Sequence, residues 1–361
     1  MDEFYMNLAL ENAKKGRGKV NPNPMVGAVI VKNEKIIGIG YHEFFGGTHA
    51  EVNAFKNATE DVVGGTIYVT LEPCSHYGKT PPCADKIIEK KIRRVVVGSL
   101  DPNPIVAGRG IKKLRDAGIE VTIGVLGKEC IKLNEVFMKY IKTKKPFVVL
   151  KCAMSLDGKI CTRDGESKWI TGEKAREHVH KTRGVLSGIM VGVETVIEDN
   201  PRLTSRVDIG KNPIRIVVDS TLRIPLSSNV LTDKFRDKTI IATTDYADKK
   251  KIREIENLGV KVLVVESKEK RVNLNDLMYR LGEMNIDSIF LEGGGTLNFS
   301  ALREGIIDKV QIYIAPKIIG GTLAKTPVEG EGIDKLKDAF NINDLKVNFF
   351  GNDIFIEGYL N

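Results

Sequence analysis

The chain has 361 residues, of which 42% are hydrophobic and 28% are charged. This balance is typical of soluble globular enzymes and excludes the disordered and collagen-like classes, and the length predicts about two domains. No stretch approaches the ~18 consecutive apolar residues that a membrane helix needs, and the acidic, amphipathic start MDEFYMNLALENAKKG is unlike a signal peptide. We therefore expect a cytoplasmic protein that contacts no membrane.

The formal net charge of +8 is divided unevenly along the chain. Residues 1–145 contain 23 Lys and Arg against 16 Asp and Glu, whereas residues 146–361 contain 32 against 31. A basic first part suits an anionic ligand, either a small phosphate ester or a nucleic acid. The five cysteines are too few for a disulfide framework, so the close pair Cys74 and Cys83 is better explained by metal binding or reactivity.

The first part alternates predicted helices and strands. A helix begins with Asp2 as its cap and ends at Gly16. Strands are predicted from Met25, Ile36, Thr66, Arg94 and Ile119, and helices over 49–55, about 82–90 and about 111–117. This alternation predicts a layered α/β domain that is complete by about residue 125.

A second series begins after the polar sequence KTKKP, which ends at Pro146 and is the most linker-like segment of the chain. Six short, apolar and β-branched segments then occur: FVVLKCAM, GIMVGV, IRIVVD, TIIATT, VKVLVV and SIFLEGGG. Their nearly continuous apolarity indicates a mostly parallel sheet that is buried on both faces. VQIYIAPKIIGG and KVNFFGNDIFIEGYL are predicted as antiparallel strands that close one edge. We therefore place two α/β domains at residues 1–145 and 146–361.

The strongest chemical signal is a combination of one histidine and two cysteines. His49 and Glu51 lie at the start of one predicted helix, Cys74 follows a proline, and Cys83 lies at the start of another helix. One imidazole and two thiolates suit zinc and leave the fourth tetrahedral position for a water. Glu51 could carry the proton of that water, as in zinc-dependent nucleobase deaminases, in which the glutamate is not a ligand.

Two structural explanations compete with this one. His76 lies between the cysteines, so His49, His76, Cys74 and Cys83 could form a closed zinc site with four protein ligands. Alternatively, the cysteines could be small buried hydrophobic residues. The His-x-Glu spacing disfavours the first explanation, and the proline before each cysteine in a polar loop disfavours the second.

The loop between the cysteines has eight intervening residues, whereas the general deaminase signature has two. It adds His76 and Lys79, a donor and a cation that a phosphorylated substrate would use. Together, NPNPMVGAVIV, HAEVNAF, TLEPCSHYGKTPPC and DPNPIVAGRGI resemble the deaminase half of the bifunctional deaminase-reductases of riboflavin biosynthesis. The resemblance extends over nearly the whole chain.

The resemblance implies a cytidine-deaminase-like fold, with zinc held by His49, Cys74 and Cys83 and with Glu51 as the proton shuttle. It implies 2,5-diamino-6-(5-phosphoribosylamino)pyrimidin-4-one as the substrate, which loses its 2-amino group as ammonia. The family positions that line the pyrimidine and phosphate pocket correspond to Asn23, His42, His76, Lys79, Asp101 and Asn103. From the residues alone, Asn23 and the sequence DPNP could be ordinary turns, although the end of a strand is where α/β sheets often bind ligands.

No GxGxxG dinucleotide motif follows a strand in the second part. Instead, the run Glu292-Gly293-Gly294-Gly295-Thr296 comes directly after the predicted strand SIFL. Glycines at such a turn either let backbone amides approach a phosphate or simply allow a tight connection. KCAMSLDGKI, GESKWIT, VGVETVIEDNPRLTSR, RIVVDS, FLEGGGTL and APKIIGG resemble the reductase half of the same family, whose domain is dihydrofolate-reductase-like and uses NADPH.

The resemblance assigns two groups of residues in this half. Those that border NADPH are Ala153, Trp169, Thr195, Asp199, Ser220, Gly294, Gly295, Thr296, Leu297, Asn298, Phe299 and Ser300. Those that hold the substrate are Ser167, Arg183, Leu203, Arg206 and Glu292. The two arginines could bind a phosphate and Trp169 could form an apolar wall, although an arginine is usually solvated surface and a lone tryptophan is usually core.

The reductase step implied by the resemblance carries a hydride from NADPH to C1′ of the sugar and opens the ribosyl unit to a ribityl chain. Lys151 and Asp199 are the candidate catalytic residues of this step, in which their polar groups would assist the reaction at the sugar. A lysine in an otherwise apolar strand is unusual unless its charge is used or paired. The resemblance also implies a homo-oligomer, a dimer or a tetramer.

The leading hypothesis is one enzyme with two consecutive activities on a small phosphorylated pyrimidine. The alternative is a nucleic-acid base deaminase fused to an unrelated α/β module. Aromatic residues make up only 6% of the chain, whereas base extrusion and single-strand binding rely on aromatic stacking, so we expect no nucleic-acid partner. A zinc-stabilised binding protein without chemistry is a third interpretation.

Overall fold

The structure is a computed structural model that describes residues 1–75, 81–103, 107–206 and 211–360. The chain divides into two compact units, Met1–Lys144 and Lys145–Asn361. Within the described ranges, no helix has the length and apolarity that are needed to cross a membrane.

The first unit is built around a five-stranded sheet. Its strands are β1 (Gly27–Lys32), β2 (Lys35–Tyr41), β3 (Thr66–Leu71), β4 (Arg94–Ser99) and β5 (Glu120–Ile123). Its helices are α1 (Asp2–Ala13), α2 (Ala50–Lys56), α3 (Cys83–Glu89), α4 (Arg109–Asp116), α5 (Gly127–Leu133) and α6 (Glu135–Thr143). The strand order is β2-β1-β3-β4-β5; β3, β4 and β5 are parallel, and β1 is antiparallel to both of its neighbours.

Helices cover both faces of this sheet because successive side chains of a strand point to opposite faces. Ile30 of β1 and Val97 of β4 pack with residues of α2, α3 and α4. Val31 and Val96 pack on the opposite face with α1, where Cys130 of α5 joins them. The prediction of a layered α/β domain is confirmed.

The first helix differs from its prediction at both ends. Asp2 does not cap the helix through its side chain; its carboxylate instead accepts hydrogen bonds from Arg94 and Tyr68. The α-helix ends at Ala13, and a 3-10 turn covers Lys14–Gly16. A long-range ion pair therefore replaces the local cap that the sequence pattern indicated.

The first unit also extends beyond the point at which the sequence pattern predicted its end. α5 and α6 follow the last strand, and the first two residues of the KTKK sequence predicted as part of a linker are the end of α6. Cys130 is fully buried against the sheet. α5 therefore belongs to the same helical layer as α1.

The second unit contains a nine-stranded sheet and a separate two-stranded pair. The strands are β6 (Phe147–Ser155), β7 (Gly188–Gly192), β8 (Ile214–Val218), β9 (Thr239–Thr243), β10 (Lys261–Val264), β11 (Ser267–Lys268), β12 (Arg271–Val272), β13 (Ser288–Leu291), β14 (Lys309–Ala315), β15 (Asn343–Phe350) and β16 (Asp353–Tyr359). The helices are α7 (Glu173–Val185), α8 (Val193–Asp199), α9 (Asn229–Thr232), α10 (Lys249–Asn257), α11 (Leu274–Glu283) and α12 (Gly295–Arg303), with 3-10 turns at Arg236–Lys238 and Leu336–Asp338.

The order of the large sheet is β10-β9-β8-β7-β13-β6-β14-β16-β15. Neighbouring strands from β10 to β14 are parallel, and β16 is antiparallel to both β14 and β15. The prediction of a mostly parallel sheet is confirmed. The prediction of antiparallel C-terminal strands at one edge is confirmed for β14, β16 and β15, and β14 joins them to the rest of the sheet by pairing in parallel with β6.

Helices cover both faces of the large sheet. Leu150 and Cys152 of β6 pack with α11 and α12, whereas α8, α9 and α10 pack on the opposite face of the sheet. Because the side chains of β6 alternate, Lys151 lies on the face opposite to Leu150 and Cys152. α7 covers that face next to β14, where the ring nitrogen Nδ1 of His178 lies 2.7 Å from the hydroxyl of Tyr313.

Candidate active sites of the two units

The three predicted metal ligands of the first unit lie together. The ligand atoms of His49, Cys74 and Cys83 are all within 4.8 Å of one another. His49 Nδ1 is 3.2 Å from Cys83 Sγ and 3.5 Å from Cys74 Sγ. One nitrogen and two sulfur atoms at this separation match the donor set that zinc prefers in proteins.

Two helix starts and one strand end bring these side chains together. His49 is the residue before α2, and Cys83 is the first residue of α3. Cys74 follows β3; its carbonyl accepts a hydrogen bond from the Ala84 amide, and its sulfur accepts one from the Cys83 amide at 3.3 Å. The start of α3 therefore fixes the two cysteines relative to each other.

The charge distribution in this cluster favours one thiolate. A hydrogen bond from the Cys83 thiol, supported by one from the His49 ring, lowers the pKa of Cys74 to about 4. The bond with Cys74 raises the pKa of Cys83 well above its ordinary value and raises the pKa of His49 to about 9. Cys74 is therefore a thiolate at neutral pH, the form in which a cysteine binds a metal ion.

Glu51 lies in the first turn of α2 and is only 3% exposed. Burial raises the pKa of its carboxyl group, and the charge of the neighbouring His49 opposes this shift. A carboxyl group with a raised pKa accepts and releases a proton more readily near neutral pH. Glu51 is therefore placed beside the candidate ligands with the properties of a proton carrier.

Two predicted pocket residues adjoin this cluster. The ring of His42 is buried and lies edge-on to the ring of His49, with their centroids 5.8 Å apart. Asn23 Nδ2 is 3.3 Å from His42 Nε2, and His42 Nδ1 is 3.0 Å from the carbonyl oxygen of Thr48. Asn23, His42 and His49 thus form one continuous row of polar side chains.

Asp101 and Asn103 are half-buried on the loop after β4. Asp101 Oδ1 accepts a hydrogen bond from the Asn103 amide at 2.8 Å. Because β3 and β4 are parallel neighbours, this loop and Cys74 lie at the same edge of the sheet. His76 and Lys79 lie outside the described residues.

Charged side chains of the second unit meet at Glu292, directly after β13. Arg183 Nε and Nη2 donate hydrogen bonds to Glu292 Oε1 and Oε2 at 2.5 and 2.9 Å, and Lys151 Nζ lies 3.6 Å from Oε2. Burial opposes the ionisation of Glu292, but the charges of Arg183 and Lys151 outweigh it and lower its pKa to about 2. The cluster therefore holds one negative and two positive charges at neutral pH, a surplus that suits an anionic ligand.

The loop after α8 lies against this cluster. Arg183 Nη1 lies 3.4 Å from the carbonyl oxygen of Thr204, and Ser205 Oγ donates a hydrogen bond to the carbonyl of His180 at 3.2 Å. Leu203 is buried, with a positive φ of 53°. The loop therefore brings the backbone of Thr204, the residue after Leu203, beside Arg183, whereas the side chain of Leu203 packs in the hydrophobic core.

Trp169 is not a core residue, contrary to what is usual for a lone tryptophan. Its side chain is 57% exposed, and the guanidinium carbon of Arg176 lies 4.6 Å from the centre of its ring system. Ser167, two residues earlier, is half-buried. The ring of Trp169 thus offers a flat apolar surface that a planar ligand can contact.

The glycine run joins β13 to α12. Apart from its two neighbours in the chain, no atom of the residues that the structure describes would lie within 4 Å of a β-carbon at Gly294, and the φ of this residue is −76°. A β-carbon at Gly295 would lie 2.6 Å from Cγ of Glu329. The protein covers Gly295 but leaves Gly294 open, so Gly294 is where a ligand can approach the backbone at the start of α12.

The other residues assigned to NADPH lie in different environments. Asp199 and Thr296 are exposed; Ala153, Thr195, Ser220, Leu297 and Ser300 are half-buried; Asn298 and Phe299 are buried. Arg206, assigned to the substrate, is exposed. Asp199 is the last residue of α8, and in the described part of the chain the ion pair of Lys151 is formed with Glu292 and not with Asp199.

Comparisons with known proteins identify both units. Residues 146–356 match the RibD C-terminal domain, and residues 1–99 match the cytidine and deoxycytidylate deaminase zinc-binding region. The chain is 53% identical to riboflavin biosynthesis protein RibD of Actinobacillus pleuropneumoniae, over 99% of this chain and 94% of that protein. The chain belongs to the RibD family of riboflavin biosynthesis proteins.

Other members of the RibD family match over the whole chain. RibD of Aquifex aeolicus is 44% identical, over 99% of this chain and 98% of that protein. Among solved structures, Acinetobacter baumannii RibD (form 1) has a TM-score of 0.89 at 36% identity, and a Thermotoga maritima deaminase/reductase has a TM-score of 0.85 at 37% identity; each comparison covers 100% of this chain and 99% of the other.

The RibD membership confirms the expected fold class and the bifunctional enzyme. A cytidine-deaminase-like unit that takes zinc is followed by a dihydrofolate-reductase-like unit that uses NADPH. Because the second unit matches the RibD C-terminal domain, the alternative of an unrelated α/β module is wrong. The roles of the individual site residues stay predictions.

Two buried asparagines that the sequence analysis missed hold RibD site loops in place. Asn134 Nδ2 donates a hydrogen bond to the carbonyl of Met25 at 2.9 Å, and Asn134 Oδ1 accepts one from the Met25 amide at 2.8 Å. Asn53 Nδ2 donates to the carbonyl of Tyr41 at 2.8 Å. These bonds anchor the segments next to Asn23 and His42, and they satisfy the polar groups of two buried side chains, one in α2 and one between α5 and α6.

His180 is a further residue that the sequence analysis missed. Burial, followed by the charges of Arg183 and Arg206, lowers the pKa of its imidazole to about 4. Its Nδ1 atom is buried and has no hydrogen-bond partner within the described ranges. A neutral imidazole therefore lies beside the charged cluster of the reductase unit.

Proposed function

We propose that the first unit deaminates 2,5-diamino-6-(5-phosphoribosylamino)pyrimidin-4-one and that the second unit reduces the product to 5-amino-6-(5-phosphoribitylamino)uracil. The Thermotoga maritima protein is named a diaminohydroxyphosphoribosylaminopyrimidine deaminase and 5-amino-6-(5-phosphoribosylamino)uracil reductase. The observation that carries the proposal is the group of His49, Cys74 and Cys83 with the buried Glu51 beside it.

In the first unit, His49, Cys74 and Cys83 hold the zinc ion. Zinc, when bound, lowers the pKa of water toward about 7 and so supplies a nucleophile at neutral pH. Glu51 accepts a proton from the water that adds to C2 of the pyrimidine and donates it to the amino group; the C2–N bond then breaks, and ammonia leaves.

The remaining residues of this unit bind the substrate in the proposal. Asn23 and His42 supply hydrogen bonds beside the ligand cluster, and Asp101 and Asn103 supply them from the loop after β4. His76 and Lys79 bind the phosphate, which is why the cysteine loop is long and carries a donor and a cation. These assignments stay predictions.

In the second unit, NADPH binds along the open turn at Gly294 and the exposed ring of Trp169. When bound, it supplies a hydride to C1′ of the sugar. The bond between C1′ and the ring oxygen breaks, and that oxygen takes up a proton. Lys151 donates this proton, while Glu292 binds a sugar hydroxyl and Arg183 adds positive charge for the phosphate.

Further members of each group complete the proposed reductase site. Ser167, Leu203 and Arg206 complete the substrate site. Ala153, Thr195, Asp199, Ser220 and the run Gly294 to Ser300 complete the NADPH site. The exposed position of Asp199 makes it the weaker of the two catalytic candidates, since proton transfer is most effective from a positioned group.

The test uses both activities of one polypeptide. Glu51→Ala should abolish ammonia release from the diaminopyrimidinone phosphate, with zinc content unchanged. Reduction of the deaminated intermediate, followed by NADPH absorbance, should stay at the wild-type rate. Glu60→Ala, which removes an exposed carboxylate of the same unit, is the matched control and should preserve both activities. Loss of both activities in Glu51→Ala would contradict two separate sites.

We also propose that the chain forms a homo-oligomer, a dimer or a tetramer, through the edge of the large sheet. β15 is the outermost strand, and its side chains Leu345, Val347 and Phe349 are 58%, 58% and 68% exposed. A second copy that pairs along this edge would cover both these side chains and the free backbone groups of the strand. The cytoplasmic location expected from the sequence stays a prediction.

A further inference from the structure

Glu72 is a buried carboxylate that the deaminase chemistry described above does not use. It follows β3 directly, precedes Cys74 by two residues and is 3% exposed. A buried carboxylate is stable only when its oxygens receive hydrogen bonds or a counter-charge. The partners of Glu72 therefore indicate what it holds in place.

Four backbone amides donate hydrogen bonds to the carboxylate of Glu72. Oε2 accepts from the amides of Asp101 at 3.3 Å and Gly108 at 3.0 Å. Oε1 accepts from the amides of Gly110 at 3.0 Å and Ile111 at 3.4 Å, in the first turn of α4. Since Asp101 and Gly108 lie at the two ends of one loop, a single oxygen atom closes that loop.

The same network continues to the proposed substrate residues. Asp101 Oδ1 accepts from the Asn103 amide at 2.8 Å, and the carbonyl of Asn103 accepts from the Ala107 amide at 2.8 Å. The backbone of the cysteine segment also approaches α4 closely, because a β-carbon at Gly110 would lie 2.2 Å from the carbonyl oxygen of Pro73. The loop is therefore fastened to the segment that carries Cys74.

We propose that Glu72 is a positioning residue of the deaminase, whose carboxylate fixes the loop of Asp101 and Asn103 against the segment of Cys74 and thereby sets the affinity for the pyrimidine substrate. The inference rests on the proposed function of the first unit. A carboxylate suits this role because it offers two acceptor oxygens and no donor hydrogen. A glutamine would keep one acceptor oxygen, but its NH₂ group would face two backbone amides. Because both groups are donors, the hydrogen bonds of those two amides would be lost.

Glu72→Gln should raise the KM of the deaminase by roughly tenfold or more, equivalent to about 1.4 kcal/mol. The turnover number should stay within about threefold of wild type, because Glu51 and the ligand residues are untouched. Ammonia release gives both constants, elemental analysis gives the zinc content, and NADPH oxidation by the same sample reports an intact reductase. A purely structural defect lowers the active fraction, and so the apparent turnover number, at an unchanged KM.

The outcomes separate this inference from the proposed function. An unchanged KM in Glu72→Gln overturns the positioning role, whereas a zinc-loaded wild-type enzyme that releases no ammonia overturns the proposed function. Asp2→Asn is the matched control, because it removes a partly buried carboxylate that binds Arg94 and Tyr68 near the opposite edge of the same sheet. It should lower stability at an unchanged KM, and a rise in KM as large as that of Glu72→Gln would also overturn the inference.

If Glu72→Gln does not fold, Gly110→Ala provides a second test of the positioning role of Glu72. The added β-carbon would lie 2.2 Å from the carbonyl oxygen of Pro73 and 3.2 Å from Oε1 of Glu72, so it must displace the first turn of α4 from both while the carboxyl group itself is retained. The variant should raise the KM in the same direction, with zinc content and reductase activity preserved. A Gly110→Ala enzyme with a wild-type KM would overturn the inference independently.

Discussion

Replacing Lys151 by methionine separates catalysis from structure in the reductase unit. Methionine keeps an unbranched apolar side chain on β6 and removes only the charged end. Lys151 Nζ is 3.6 Å from Glu292 Oε2, whereas Arg183 binds both carboxylate oxygens at 2.5 and 2.9 Å. Glu292 therefore keeps a bidentate partner in the variant.

The geometry of this cluster sets the expected change in stability. At 3.6 Å and an effective dielectric constant of about 20, the attraction between two unit charges is roughly 4–5 kcal/mol. Desolvation of the ammonium offsets most of this attraction, because buried ion pairs contribute little net stability. We therefore expect the free energy of unfolding to change by less than about 2 kcal/mol. Loss of the proton donor should instead lower the turnover number by about 10²–10⁴-fold.

The assay is NADPH oxidation at saturating deaminated intermediate, with urea unfolding of the same samples. The deaminase activity of each sample serves as an internal standard for the amount of active protein. Lys174→Met, which removes an exposed lysine at the start of α7, is the matched control and should leave the turnover number unchanged. A Lys151→Met enzyme that reduces its substrate at the wild-type rate would refute the catalytic role and leave Lys151 as a structural partner of Glu292.

Three further predictions concern the second unit. Gly294→Ala should raise the Kd for NADPH by roughly tenfold or more at unchanged stability, because the methyl group would occupy space that the described side chains leave open; an unchanged Kd in a fluorescence titration would argue against cofactor binding there. The stability of the unit should fall as the pH drops from 6.5 to about 4, since burial and the charges of Arg183 and Arg206 keep His180 neutral in the folded state while the unfolded chain takes up a proton. His180→Gln should reduce this slope in urea unfolding, and an identical slope would show that other groups cause it. Phe349→Lys should convert the proposed oligomer to monomers in analytical ultracentrifugation, and an unchanged mass would exclude β15 as the interface.

The metal cluster was predictable because its residue types are rare and their chemistry is specific. Histidine and cysteine at helix starts, with a glutamate two residues from the histidine, limit the interpretation to a few kinds of site. The side chains that hold the surrounding loops carry no such local signal. Asn134 and Met25 are 109 residues apart, and Glu72 binds amides 29 to 39 residues away. Only the folded chain brings these partners together.

Strand positions were predictable from apolar runs, but strand partners were not. β14 has the alternating pattern expected of an edge strand, yet it pairs with β6 on one side and with β16 on the other. α5 and α6 escaped prediction because the short helices are separated by a single residue, Asn134, and lack cap hydrogen bonds from side chains. Tertiary packing, which local propensity does not report, decides both features.

The position of α5 and α6 bears on how the two activities can be separated. An N-terminal fragment that ends at residue 125, just after the last strand of the sheet, would lack Asn134 and both of its hydrogen bonds to the backbone of Met25. It would also uncover the sheet face that Cys130 now shields from water. A freestanding deaminase must therefore retain the chain at least through Asn134, because the anchoring of its amino-terminal loop depends on that residue.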